Sequence, residues 1–256
     1  MKKILISIMI ALFSMTSVAQ TISLSNEAWN ESEWICVADA PEVQGRVDEH
    51  TRAADGANWF VTSITNEKKV KTALWMTTSL GVNELYVNGK CIGKEILRPG
   101  FSHHSKTKYS FTYDVTKAFF TKKGAYNTLS AQVTPGWWAD KIITPSGSNG
   151  MYGQKCAFRG VLELTFADGT KRLYGTNTKD WKAGIAGPVR HAAIFDGEEY
   201  DAREANFQLL ATPSISKEYK GVIVPNCGAE VYHINEWALN PKSAYVYSKI
   251  KDENED

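Results

Sequence analysis

The chain has 256 residues, with 29 Lys or Arg against 28 Asp or Glu and a formal charge of +1 at neutral pH. The two signs are interspersed, so there is no electrostatic footprint for nucleic acid or for an anionic membrane surface. Eight Trp and eleven Tyr make an aromatic load that exported β-rich proteins place in cores or use as flat platforms for sugars.

The first nineteen residues, MKKILISIMIALFSMTSVA, start basic at Lys2 and Lys3, run apolar from Ile4 to Phe13, and end small-x-small at Ser17-Val18-Ala19. They predict a secretory signal peptide over 1–19, cut before Gln20, and export to the periplasm or the extracellular space. The apolar stretch is too short to span a bilayer alone, and no membrane insertion is expected after cleavage. Cys36, Cys91, Cys156 and Cys227 follow. An oxidising compartment leaves three disulfide pairings open, with buried free thiols as the alternative. No C-x-x-C spacing is present, which argues against zinc or a redox motif.

Ser32 to Ala38 and Ala57 to Thr65 read as short strands around a polar insert. Ala73, Trp75 and Thr77 then alternate with Leu74 and Met76, and Leu85 and Val87 alternate with Glu84, Tyr86 and Asn88. That is the period of strands with one face in a core. Asn88-Gly89 supplies a two-residue hairpin turn, which needs positive φ at both central positions. Farther on, Tyr109, Phe111, Tyr113 and Val115 share a face opposite Ser110, Thr112 and Asp114, and Leu129, Ala131 and Val133 repeat the pattern. Thr116 to Phe120 has room for one turn of helix.

Thr134 to Gln154 lacks periodicity and is rich in Gly, Pro, Ser and Asn, so it is the longest predicted loop, and long loops on rigid scaffolds carry binding function. Leu162, Leu164 and Phe166 lead to a second hairpin at Asp168-Gly169, with Lys171 to Tyr174 returning. Leu209 to Tyr219 reads as a linker, Val222 to Val224 and Ala229 to Lys249 as further strands, and Asp252 to Asp256 as a solvated acidic tail. The expected architecture is all-β: a jelly-roll-like β-sandwich over 20–206, then a linker and a partial second β module over 207–256.

One set of strings goes further. GVNELYVNGKCIG (Gly81 to Gly93), then Leu97, Pro99 and Gly100, then YSFTYDVT (Tyr109 to Thr116), resembles the amino-terminal domain of bacterial α-L-rhamnosidases. The likeness resumes at Trp137, at Asp168-Gly169, at Trp181 with Gly187-Pro188, and at GEEYDAR (Gly197 to Arg203), and it runs from Val70 to Arg203 in unbroken order. The resemblance implies a β-sandwich module that in its relatives precedes a helical catalytic barrel. Glycoside hydrolysis uses two carboxyl groups about 5 to 10 Å apart, and the resemblance implies that the relatives carry theirs in that barrel. No catalytic residue is carried over to this chain.

Sugar binding is the functional expectation. A pyranose offers an apolar C–H face to an aromatic ring, while amides and acids hold its hydroxyls. Trp137, Trp138 and Asp140, with Asn149 and Tyr152 at the far end of the loop, have that composition, and at least one of the two consecutive Trp is expected in the core. Glu84, Asn88, Glu198, Tyr200, Asp201 and Arg203 read as structural or docking residues, with Asp201 and Arg203 sharing a strand face and able to pair. His103 and His104 are expected as solvent-exposed loop histidines and a poor chelate. The resemblance implies calcium-held rhamnose in some relatives, through Asp and Asn just after the Pro-Gly-aromatic segment. This chain has His103-His104 there, and imidazole is a poor ligand for a cation that prefers oxygen. No cofactor or metal is expected. The predicted role is an exported, non-catalytic, carbohydrate-binding accessory domain for a rhamnose-containing glycan. The alternatives are the front part of a split or truncated rhamnosidase that docks to a separate catalytic module, and a rhamnosidase active alone.

Overall fold

The computed structural model describes residues 24–38, 57–140, 150, 152–195, 197–204, 210–227, 230–233 and 242–243. The predicted signal peptide, the polar insert, Asn149 and the acidic tail lie outside the described residues. A 3-10 turn over Asn26–Glu31 comes first. In chain order it is followed by β1 (Ile35–Cys36), β2 (Asn58–Thr65), β3 (Val70–Leu80), β4 (Val82–Val87), β5 (Lys90–Ile92), β6 (Thr107–Asp114) and β7 (Tyr126–Thr134). The short helix α1 (Gly136–Ala139) precedes β8 (Ala157–Phe166), β9 (Lys171–Gly175), β10 (Trp181–Ile185), β11 (Val189–Ala193) and β12 (Gly197–Tyr200). Two edge strands close the order, β13 (Ser214–Ile215) and β14 (Val222–Pro225).

Two sheets face each other. One runs β13-β1-β8-β3-β6-β14 with β9 also on β8, and the other runs β10-β2-β7-β4-β5. Their inner strands, β1-β8-β3-β6 over β2-β7-β4-β5, have the strand order of an eight-stranded jelly roll. Alternation explains the core: Phe60, Leu85, Val87, Leu129, Ala131 and Val133 of one sheet meet Ala73, Trp75, Phe158, Leu162 and Leu164 of the other. Phe158 is the junction, with its ring 5.8 Å from Phe60, 6.1 Å from Trp75 and 5.6 Å from Trp181. Such aromatic pairs contribute about 0.5–1.5 kcal/mol each beyond the area they bury.

The hairpin turn forms as the sequence requires, with Asn88 at φ 51° and Gly89 at φ 75°. The Asn88 side chain then ties the turn down: its amide donates to Ala118 O and Asn127 Oδ1, and its carbonyl accepts from Thr128 N. Thr116 to Phe120 contains the single helical turn, closed by Phe119 N to Val115 O at 3.0 Å.

Three expectations need correction. First, β3 is buried on both faces from Trp75 to Leu80 rather than on one. The amino-terminal segment covers the outer face, where Leu24, Ala28 and Trp29 pack on Met76 and Val161. Arg159 of β8 anchors it by donating to Trp29 O at 2.6 Å, Ser32 O at 2.8 Å and Ser32 Oγ at 3.0 Å. Second, the Ser32 to Ala38 strand shrinks to Ile35–Cys36. Third, two described segments of the stretch expected as linker and separate module join the sandwich: β13 pairs with β1, and β14 runs parallel to β6, while most of the strand expected over Ala229 to Lys249 lies outside the described residues. Pairing in the sheet satisfies backbone groups that a linker would leave to water.

The four cysteines carry free thiols. Cys36 and Cys156 are buried and Cys91 and Cys227 exposed, and burial pushes the Cys156 thiol up to about 12.

Candidate functional site

Where the two sheets part, beyond the end of β5, the chain from Glu95 to Phe101 wraps across the mouth of the sandwich. It is pinned by Asn83 N to Arg98 O at 2.8 Å and by Ile96 N to Val231 O at 2.8 Å. Arg98 is buried beneath it. Its Nη1 donates to Ile92 O at 2.6 Å and lies 3.3 Å from the Tyr113 hydroxyl, which donates to Glu95 Oε2 at 3.0 Å. Burial, and to a lesser extent Glu95, hold the Tyr113 phenol above its usual range, against the opposing pull of Arg98.

This wrap forms one wall of a cleft of about 290 Å³. Tyr109 and Phe111 of β6 line it, on the same strand face as Tyr113, which packs against the inter-sheet core. Phe101 and Trp137 complete the aromatic lining, with Asn226 and Glu230 among the polar groups at its edge. Phe101 is 61% exposed and stands edge-on to Trp137 at 5.8 Å. The short turn of α1 separates two consecutive indoles: Trp137 joins the cleft, while Trp138 is 1% exposed. Trp138 packs with Trp34, Cys36, Leu80 and Tyr219 on the outer face of the seven-stranded sheet, and its Nε1 donates to Lys155 O at 3.0 Å. Gly153 lies against that indole with no room for a Cβ.

Behind Trp137 is a polar cluster that the sequence did not reveal. His104 is buried rather than solvent-exposed, at 2% exposure, stacked on Trp137 at 6.4 Å and tilted against Tyr152 at 5.2 Å. Lys108, 1% exposed, places Nζ 2.7 Å from His104 Nδ1 and 4.6 Å from the Trp138 ring. When Lys108 is an ammonium it donates, and Nδ1 then carries the lone pair and Nε2 the hydrogen. Burial first, then the Lys108 charge, hold the imidazole down to about 3, and burial pulls the Lys108 amine down to about 7. Calcium does not suit these residues. A cation beside His104 would face the Lys108 ammonium.

The expected sugar residues therefore divide. Trp137 lines the cleft, Trp138 is core, Tyr152 packs on His104, and Asp140 is buried at the end of α1. Glu84, Glu198 and Tyr200 meet elsewhere, around a second depression on the outer face of the five-stranded sheet. Asp201 and Arg203 do pair, through Nε to Oδ1 at 2.8 Å and Nη2 to Oδ2 at 2.6 Å. They do so in a 3-10 turn over Ala202–Glu204 rather than on a strand face, because Asp201 Oδ1 also accepts from Arg203 N. The guanidinium holds the Asp201 carboxyl down to about 2.

The profile of the family described as "Alpha-L-rhamnosidase N-terminal domain" matches residues 68–221, more than half of the chain. The chain belongs to this family. A relative from Streptomyces avermitilis, an α-L-rhamnosidase, is 39% identical over 139 residues, covering 54% of this chain and 13% of its own. Another from Alteromonas sp. is 33% identical over 179 residues, covering 70% and 18%. Among solved structures, the S. avermitilis α-L-rhamnosidase complexed with L-rhamnose superposes with TM-score 0.60 at 30% identity, over 68% of this chain and 17% of that one. The native enzyme from Aspergillus terreus gives 0.62 at 27% identity, over 72% and 20%. The rhamnosidase N-terminal domain thus spans less than a fifth of the length of these curated relatives.

Proposed function

We propose that this chain is an exported carbohydrate-binding module that holds a rhamnose-containing glycan without cleaving it. The observation that carries the reading is the open aromatic cleft of Phe101, Tyr109, Phe111 and Trp137, with polar groups at its edge. Exposed rings of this kind suit the C–H face of a sugar, and the methyl group of a deoxy sugar adds to the apolar contact. Membership of a rhamnosidase domain family supports rhamnose as the sugar. The relatives carry the matched region as a small part of a much longer enzyme, which supports an accessory role for it.

Titration calorimetry with L-rhamnose and with rhamnogalacturonan fragments tests this. Saturable heat is expected from the native protein, and Trp137→Ala is expected to weaken binding by about tenfold or more, the loss of a central aromatic anchor. Native protein that gives no heat with any rhamnose-containing ligand removes the reading. The same samples, incubated with an aryl α-L-rhamnoside, are expected to release no phenol.

A further inference from the structure

A separate surface has the form of a binding groove. On the five-stranded sheet the inward positions are core, and the outward positions between them form a patterned face. In register across three strands lie Trp59 of β2, Gln132 of β7 and Glu84 of β4, with Ser130 and Tyr86 paired in the next outward row. Trp59 and Tyr86 stack diagonally across this face, with centroids 5.7 Å apart and planes 29° from parallel. The Tyr86 hydroxyl donates to Glu84 Oε2 at 2.7 Å and so fixes the carboxylate at the edge of the ring pair.

Two walls rise beside this face: the β11–β12 hairpin, with Val189, Glu198 and the 61% exposed Tyr200, and the Glu95 to Leu97 wrap. The hollow over Trp59 and Tyr86 has a volume of about 600 Å³, and the next one along the strands about 320 Å³. The two share Glu84, Gln132, Val189 and Glu198, so they are one trough. From Val82 to Tyr86 it follows five residues of strand, about 13 Å from first to last, which is longer than one sugar ring. Glu84 and Glu198 are the charged residues lining the hollow over the rings.

We propose that this trough binds an uncharged oligosaccharide chain, independently of the Trp137 cleft. The paired rings of Trp59 and Tyr86 offer an extended apolar floor for pyranose C–H faces. Gln132, Ser130 and the two carboxylates are the acceptors and donors that vicinal hydroxyls need. Glu84 and Glu198 over the rings, with Glu95 farther along the trough beside His233, repel uronic acids, so the site discriminates against acidic polymers by charge.

Affinity electrophoresis through gels containing galactan, glucomannan or arabinoxylan, and separately polygalacturonate, decides it. At least one uncharged polymer is expected to retard the native protein, and polygalacturonate is not. Trp59→Ala is expected to cut the retardation constant by about tenfold or more, while Trp137→Ala leaves it unchanged. The double variant Glu84→Gln/Glu198→Gln, at exposed positions that do not threaten folding, is expected to keep binding the uncharged polymer and to weaken the discrimination against polygalacturonate, with Glu95 left in place. A face built instead for a protein module predicts no retardation by any polymer, and that outcome overturns the proposal. So does equal retardation of native and Trp59→Ala protein. Loss of rhamnose binding in Trp137→Ala bears only on the other cleft, so the two readings fail separately.

Discussion

The buried pair of His104 and Lys108 should make the fold sensitive to acid in a way that one substitution removes. His104 titrates near 3 in the folded protein against an ordinary 6.5. The unfolded chain therefore binds more protons between those values, and stability contributed by the neutral imidazole is complete above pH 6.5 and is lost as pH falls toward 3. At about 1.4 kcal/mol per pH unit, that displacement sets a ceiling near 5 kcal/mol. The facing aromatic rings of Phe101, Trp137 and Tyr152 favour an imidazolium by about 1–2 kcal/mol, so a net loss of about 2–3 kcal/mol between pH 6.5 and pH 4 is expected. Urea unfolding at half-unit steps of pH, for native protein and His104→Gln, isolates this group from the carboxylates that also titrate there. Glutamine keeps an acceptor for Lys108 and does not titrate. The native curve is expected to be steeper than the variant's by that amount, and proton NMR should show the His104 imidazole neutral down to about pH 5. Parallel curves, or an imidazole that titrates near 6.5, would refute the reasoning.

Three further outcomes follow from packing. Phe158→Ala removes the ring that meets Phe60, Trp75 and Trp181 at the centre of the sandwich and should cost about 3–5 kcal/mol in urea unfolding; a cost under 1 kcal/mol would mean that the sheets do not meet there. Arg159→Met removes the donor to the Ser32 carbonyl and one of the donors to the Trp29 carbonyl, which keeps Ser32 N and Oγ, so a loss of about 1–3 kcal/mol is expected, with amide exchange rising first in residues 24–32. Gly175→Ala places a Cβ on the Glu31 carbonyl and should cost about 1–3 kcal/mol, measurable as a lowered Tm.

Local chemistry made much of the fold legible. The φ requirement of Asn88-Gly89 and the two-residue period of β7 depend on nearest neighbours, and both appear as expected. What failed depended on distant chain. Nothing local to β3 says that Trp29 will cover its outer face, and nothing near Leu209 says that Ser214 and Val222 will find β1 and β6. The candidate site was half legible for the same reason. Consecutive indoles at 137 and 138 place at least one in the core and leave the other as a ligand candidate, but the turn of α1 decides which is which. A lysine beside aromatic residues on β6 reads as solvated until His104 and Trp138 close over it. Trp59 is legible locally: it is an indole on the outward side of a strand whose inward side is Phe60 and Ile64.

The most direct test of the glycan-binding account is the indole region of a nitrogen–proton correlation spectrum recorded during titration with L-rhamnose. The Trp137 Nε1–H signal is expected to move to saturation while that of Trp138, sealed in the core and bonded to Lys155 O, stays in place. A Trp137 signal that does not move at any concentration of the sugar would contradict the account.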